Sequence, residues 1–90
     1  MKHLTDLPNI SEVIAEKLMK AGISNPDDLT FTGSKQAFFR IRVLESDCCI
    51  NMLYALEGAV QGIRWHSLDE KTKNDLKLFY NSISYFKQVK

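Results

Sequence analysis

The sequence predicts an all-α protein, a compact five-helix bundle in one domain spanning residues 1–90. Three observations carry that expectation. Apolar residues recur at three- and four-residue spacing, and no stretch alternates with the period of a strand. Helix start and stop residues punctuate the chain, with no internal repeat, low-complexity tract or long linker between them. Ninety residues that are 44% hydrophobic and 26% charged match a small globular domain with a thin single core.

The first element is a turn, Leu7-Pro8-Asn9-Ile10-Ser11, entering a helix that Gly22 ends. Ile10, Val13, Ile14, Leu18 and Ala21 form its inward stripe, and Glu12, Glu16, Lys17 and Lys20 fall largely opposite. Glu16 and Lys20 are placed for an i, i+4 pair, Ser11 for an N-cap, and Glu12 for the positive end of the helix dipole. A short second helix starts at Asn25, with Pro26 in its first position and Asp27 and Asp28 following. Ser34 caps a third helix to about Leu44, with Ala37, Phe38, Ile41 and Leu44 turned inward. Ser46 or Asp47 opens a fourth, ending near Ile63. Its stripe of Cys49, Met52, Leu53, Leu56, Val60 and Ile63, widened by Ile50, Tyr54 and Ala55, places it centrally. Gly58 and Gly62 lie four apart on it, which suits close packing against a neighbouring helix or a self-association face. Ser67-Leu68-Asp69-Glu70 has capping-box spacing and opens a fifth helix to about Phe86, with Thr72, Leu76, Phe79, Tyr80 and Ile83 inward.

Composition excludes several classes. No apolar run approaches the roughly 20 residues a membrane span needs, and the start of the chain has no secretory apolar segment, so the expected location is the cytoplasm. Cys48 and Cys49 are adjacent and point about 100° apart on a helix, which disfavours a disulfide and fits reduced packing residues better than a soft-metal or redox pair. The formal net charge is +1, unevenly spread. Residues 1–33 carry three basic and five acidic side chains, a balance of −2; residues 34–90 carry nine and six, a balance of +3.

The run Leu7-Pro8-Asn9-Ile10-Ser11, followed by Ala15-Glu16-Lys17-Leu18, Ala21-Gly22-Ile23 and Asp28-Leu29, resembles a helix-hairpin-helix module, giving the N-terminal half a SAM-like character. Related five-helix domains occur in recombinase N-terminal regions and in the C-terminal domain of the bacterial RNA polymerase alpha subunit. A longer resemblance covers most of the chain. Leu7-Pro8-Asn9-Ile10, Ala21-Gly22-Ile23, Gly33-Ser34, Ala37-Phe38, the block Asn51-Met52-Leu53-Tyr54-Ala55-Leu56-Glu57-Gly58-Ala59 and Gly62-Ile63-Arg64-Trp65-His66 are similar to the C-terminal domain of the TfoX (Sxy) competence-regulator family. That resemblance implies a helical regulatory domain, often fused to a separate α/β domain in proteins that control DNA uptake.

Function is then expected at the hairpin. A helix start leaves backbone N–H groups unpaired and carries positive dipole density, so a tight turn entering it can receive a phosphate. Pro8, Asn9, Ile10 and Ser11 form that candidate nucleic-acid site, with Lys17 the nearest cation. Asn9 and Ser11 stand where the DNA-binding version has glycine; Asn9 can adopt a left-handed backbone, and Ser11 can bond either a phosphate or its own helix. Glu12 and Val13 are departures from a DNA grip. Lys35, Arg40, Arg42, Arg64 and His66 make a second candidate basic surface, beside which Trp65 can stack on a base or seal the core.

No catalytic constellation is expected. His3 and His66 lack a nearby nucleophile or metal-ligand pattern, no phosphate-binding or zinc motif is present, and Glu57 is expected in a structural ion pair with Arg64 or a lysine. The sequence reads as a non-enzymatic regulatory module with no cofactor, metal or small-molecule substrate. Its partner is double-stranded DNA or, alternatively, a protein chain or second copy.

Overall fold

A computed structural model describes residues 3–45 and 48–89, with side chains of the last helix described up to Ile83. Five α-helices follow one another: α1 Glu12–Lys20, α2 Pro26–Thr32, α3 Ser34–Leu44, α4 Ile50–Gln61 and α5 Glu70–Val89. Short 3-10 turns at Leu4–Asp6 and Trp65–Ser67 precede α1 and α5. No strand occurs among the described residues, so the all-α expectation holds. The Cα radius of gyration is 12.4 Å, against about 12 Å for a compact chain of this length.

Local chemistry sets most helix ends. Ser11 Oγ accepts the Ile14 amide at 3.2 Å to cap α1, and Asn25 Oδ1 accepts the Asp28 amide at 2.8 Å to cap α2, whose first residue is Pro26. Gly62 closes α4 in the left-handed conformation, with its amide and that of Ile63 bonded to the Ala59 and Gly58 carbonyls. Helix α4 begins at Ile50 after Cys49; the residues expected to open it, Ser46 and Asp47, lie outside the described residues.

One core cluster joins every helix. Leu18, Ile23, Leu29, Phe38, Ile41, Leu53, Leu56 and Leu76 are its largest fully buried side chains, and Leu4 and Ile10 bring the N-terminal turns into it. Helix α4 packs on α3, α5 and the second 3-10 turn, which is the central position its apolar girth predicts.

Several local expectations need correction. Val13 is 62% exposed because it lies about 140° around α1 from the buried Leu18, while Ala15 takes an inward place. Leu44 is exposed at the last residue of α3, beyond the core edge. Ser34 is the first residue of α3 rather than its cap; Gly33 holds the cap position, and the Ser34 side chain is buried. Helix α5 is capped by Asp69, whose Oδ1 accepts the Thr72 amide at 2.8 Å, because the 3-10 turn consumes Ser67. Cys48 is buried and Cys49 exposed, both as free thiols. No helix among the described residues is long and apolar enough to cross a membrane.

Candidate functional site

Asn9 organises the hairpin. Its φ of 71° is left-handed, the only such value at a non-glycine among the described residues. That backbone turns the chain into α1 and aims the carboxamide at the α4–α5 corner. Asn9 Nδ2 donates to the Ile63 carbonyl at 2.9 Å and lies 3.4 Å from that of Ala55, while Oδ1 accepts the Trp65 amide at 3.2 Å. Three half-buried contacts thus tie the turn to chain more than 45 residues away. Gly58 makes them feasible. A Cβ there would overlap Asn9 Nδ2 and stand 2.7 Å from the Ile63 carbonyl oxygen. Gly58 is thus closely packed, but against the hairpin turn and the chain after α4 rather than a neighbouring helix, while Gly62 has open space and ends α4.

The same corner draws together residues far apart in sequence. Asn9, Ile10 and Ser11 line an open cleft of about 590 Å³ with Asn51, Arg64 and His66. Two candidate surfaces in the sequence, the hairpin and the Arg64–His66 segment, share this one cleft. Trp65 and His66 form its aromatic wall, with ring centroids 4.0 Å apart, and Tyr54 stacks on Trp65 at 5.8 Å. Trp65 is half-buried and packs against the core, leaving the exposed His66 ring as the outer member.

At the mouth, Ser11 spends its hydroxyl on the Ile14 amide and its carbonyl on the Ala15 amide. The Glu12 and Val13 amides have no intrahelical acceptor, as the first turn of any helix dictates. Arg64 supplies an exposed guanidinium and His66 an exposed imidazole, while the Glu12 side chain lies on a separate hollow of α1.

The remaining candidates go elsewhere. Lys17 is paired with Glu45 at the α1–α3 contact. Lys35 pairs with Asp75 of α5 at 2.6 Å, its ammonium 5.8 Å from the Phe79 ring centroid. Arg42 donates to the Cys48 carbonyl at 3.3 Å and lies 5.3 Å from the Tyr80 ring centroid. Arg40 is exposed on a separate groove beside Lys20. The structure thus distributes Lys35, Arg40 and Arg42 away from Arg64 and His66. Glu57, expected in an ion pair, instead accepts hydrogen bonds from Ser34 Oγ at 2.6 Å and Gln61 Nε2 at 2.7 Å; Arg64 lies past the Gly62 turn on the cleft side. Among the described residues no group of three or more His, Cys, Asp or Glu side chains is placed to hold a metal.

A helical bundle with a left-handed hairpin pinned to its central helix, and an open cleft at that junction, defines a class of small all-α domain. Its family follows from comparison. The TfoX C-terminal domain family matches residues 1–80, and the chain belongs to that family. It is 30% identical over 83 residues to Protein Sxy of Escherichia coli K12, covering 92% of this chain and 40% of that protein. It is 28% identical over 76 residues to DNA transformation protein TfoX1 of Aliivibrio fischeri, covering 83% and 36%. The chain thus spans well under half the length of these relatives. Two crystal structures of a Listeria monocytogenes protein of unknown function superpose on it. The triclinic form has a TM-score of 0.90 at 54% identity, covering 91% of this chain and 93% of that one. The tetragonal form gives 0.87 at 55%, covering 89% and 98%.

Proposed function

We propose that this chain is a non-enzymatic regulatory module of the intracellular DNA-handling machinery, and that it contacts double-stranded DNA through the hairpin cleft. One observation carries the reading: Asn9, Ile10 and Ser11 of the hairpin share a cleft with Arg64 and His66, so the turn entering α1, a guanidinium and an imidazole converge on one concave surface. A phosphate fits there by charge and hydrogen-bond chemistry. One of the two relatives is named a DNA transformation protein, which supports a role connected with DNA transformation.

The affinity is modest, because the residue after Ser11 in sequence is the acidic Glu12 and the chain is nearly neutral. Such binding is dominated by counterion release and falls steeply with salt. Fluorescence anisotropy of a labelled duplex, titrated at low and at physiological salt, tests it. Binding should weaken with salt, and Arg64→Ala should reduce the slope of log affinity against log salt by about 0.9, the loss of one phosphate contact. Absence of duplex binding at low salt and high micromolar protein would overturn the reading.

A further inference from the structure

Seven large apolar side chains are exposed among the described residues, and five of them cluster. Val13 and Met19 line a hollow on the outer face of α1. Phe39, Val43 and Leu44 line a groove between the end of α1 and α3. Lys20 borders both, so the five side chains form one band, with Val43 68% exposed at its far end. Exposed apolar residues scattered singly need no explanation; a contiguous strip marks a surface that something covers.

The charges on this band identify the occupant. Glu12 and Glu16 border the α1 hollow, Arg40 borders the α3 groove, and Lys20 lies between. None of these four makes an ion pair among the described residues; the expected Glu16–Lys20 pair is not formed. An apolar strip with an acidic end and a basic end is complementary to itself. A copy rotated about a two-fold axis between the hollow and the groove lays its Glu12 and Glu16 over Arg40 of the first and receives the reverse contact, with the flexible Lys20 side chains free to turn from the axis toward the opposing carboxylates. Such isologous pairing closes after two subunits, and complementary charge fixes its register. We propose that this band docks a second copy of the same chain. The hairpin cleft shares no lining residue with the band, so DNA binding and self-association can fail separately.

Sedimentation analysis of the full chain from micromolar to millimolar concentration tests the proposal, with circular dichroism confirming that each variant is folded. A reversible monomer–dimer equilibrium is expected, abolished by Met19→Glu or Val43→Asp at these exposed sites. Glu16→Lys and Arg40→Glu should each weaken the dimer roughly tenfold, since each change enters a two-fold interface twice. An equimolar mixture of those two variants should recover association, because a mixed dimer holds one native and one reversed charge pair. A chain monomeric at millimolar concentration, a dimer indifferent to Met19→Glu and Val43→Asp, growth into open chains, or a mixture no tighter than its components would each overturn it.

Discussion

The carboxamide of Asn9 joins the hairpin to the centre of the molecule, and its loss should be felt twice. Asn9→Ala removes the bonds to Ile63 and Trp65, leaving half-buried backbone groups unpaired, and places alanine at a left-handed φ. The expected cost is about 2–4 kcal/mol. Asn9→Gly restores the backbone freedom alone and should recover about 1 kcal/mol of it. Urea denaturation of both variants separates the two contributions. Gly58→Ala should also be strongly destabilising, and less so in the Asn9→Gly background, where one of its two overlapping groups is gone. Additive costs in that double-mutant cycle would contradict the packing described. How far the sequence reveals these roles depends on where the partners lie. The left-handed turn at Asn9 is legible because it is a property of residue type and position. Its bonds to Ile63 and Trp65 are not, since nothing local announces a partner more than 45 residues away. Glu57 and Ser34 fail for the same reason: each has a plausible local role, a lysine pair or a helix cap, and the fold turns both inward onto each other. Ser34→Ala should cost about 1–2 kcal/mol, because it leaves the Glu57 carboxylate without one of its two donors.

At the level of helices and turns, legibility follows the range of the interaction. The caps at Ser11 and Asn25, the Pro26 start and the Gly22 stop are contacts within a few residues, and the sequence displays them directly; Gly62, read as a packing residue within α4, instead ends that helix. The α5 boundary shows the limit. Ser67 and Asp69 both offer N-cap chemistry, and the choice is made by the 3-10 turn that carries Trp65 into the cleft, a tertiary requirement. Asp69 therefore carries a testable signature. Hydrogen bonds from the Thr72 side chain and backbone hold its carboxyl below the ordinary value near 3.8, and the charge of Lys71 adds to them. A carboxylate whose pKa is depressed in the folded state contributes stability that is fully present above its unfolded value and is lost as pH falls through the lower folded value. Thermal melts of wild type and Asp69→Ala should thus differ at neutral pH and converge below about pH 4. A difference that persists unchanged to pH 2 would mean that the carboxylate charge has no part in the cap.

For the molecule as a whole, the consequential fact is that the hairpin cleft and the core are one mechanical unit. Ile10 of the hairpin and Leu53, Leu56 and Ala59 of α4 belong to the same buried cluster as Phe38 and Leu76, so the cleft cannot open without disturbing the packing of every helix. Phe38 is the largest fully buried side chain and lies on the far partner of α4, touching Tyr80 of α5 with ring centroids 5.9 Å apart. Phe38→Ala should cost about 3–5 kcal/mol, against a total of roughly 5–13 kcal/mol for a chain of this size. Trp65, the single tryptophan, reports on the cleft, and far-ultraviolet circular dichroism reports on all the helices. If the two regions are cooperative, both signals in Phe38→Ala should move to lower urea together and stay superimposable. Were the hairpin an independent appendage, Trp65 would keep its wild-type midpoint while the helical signal shifted. The same experiment bears on the proposed function, because a duplex that binds only the folded chain stabilises it by mass action. Duplex DNA should therefore raise the common midpoint of both signals, and Arg64→Ala should diminish that rise while leaving the midpoint without DNA nearly unchanged.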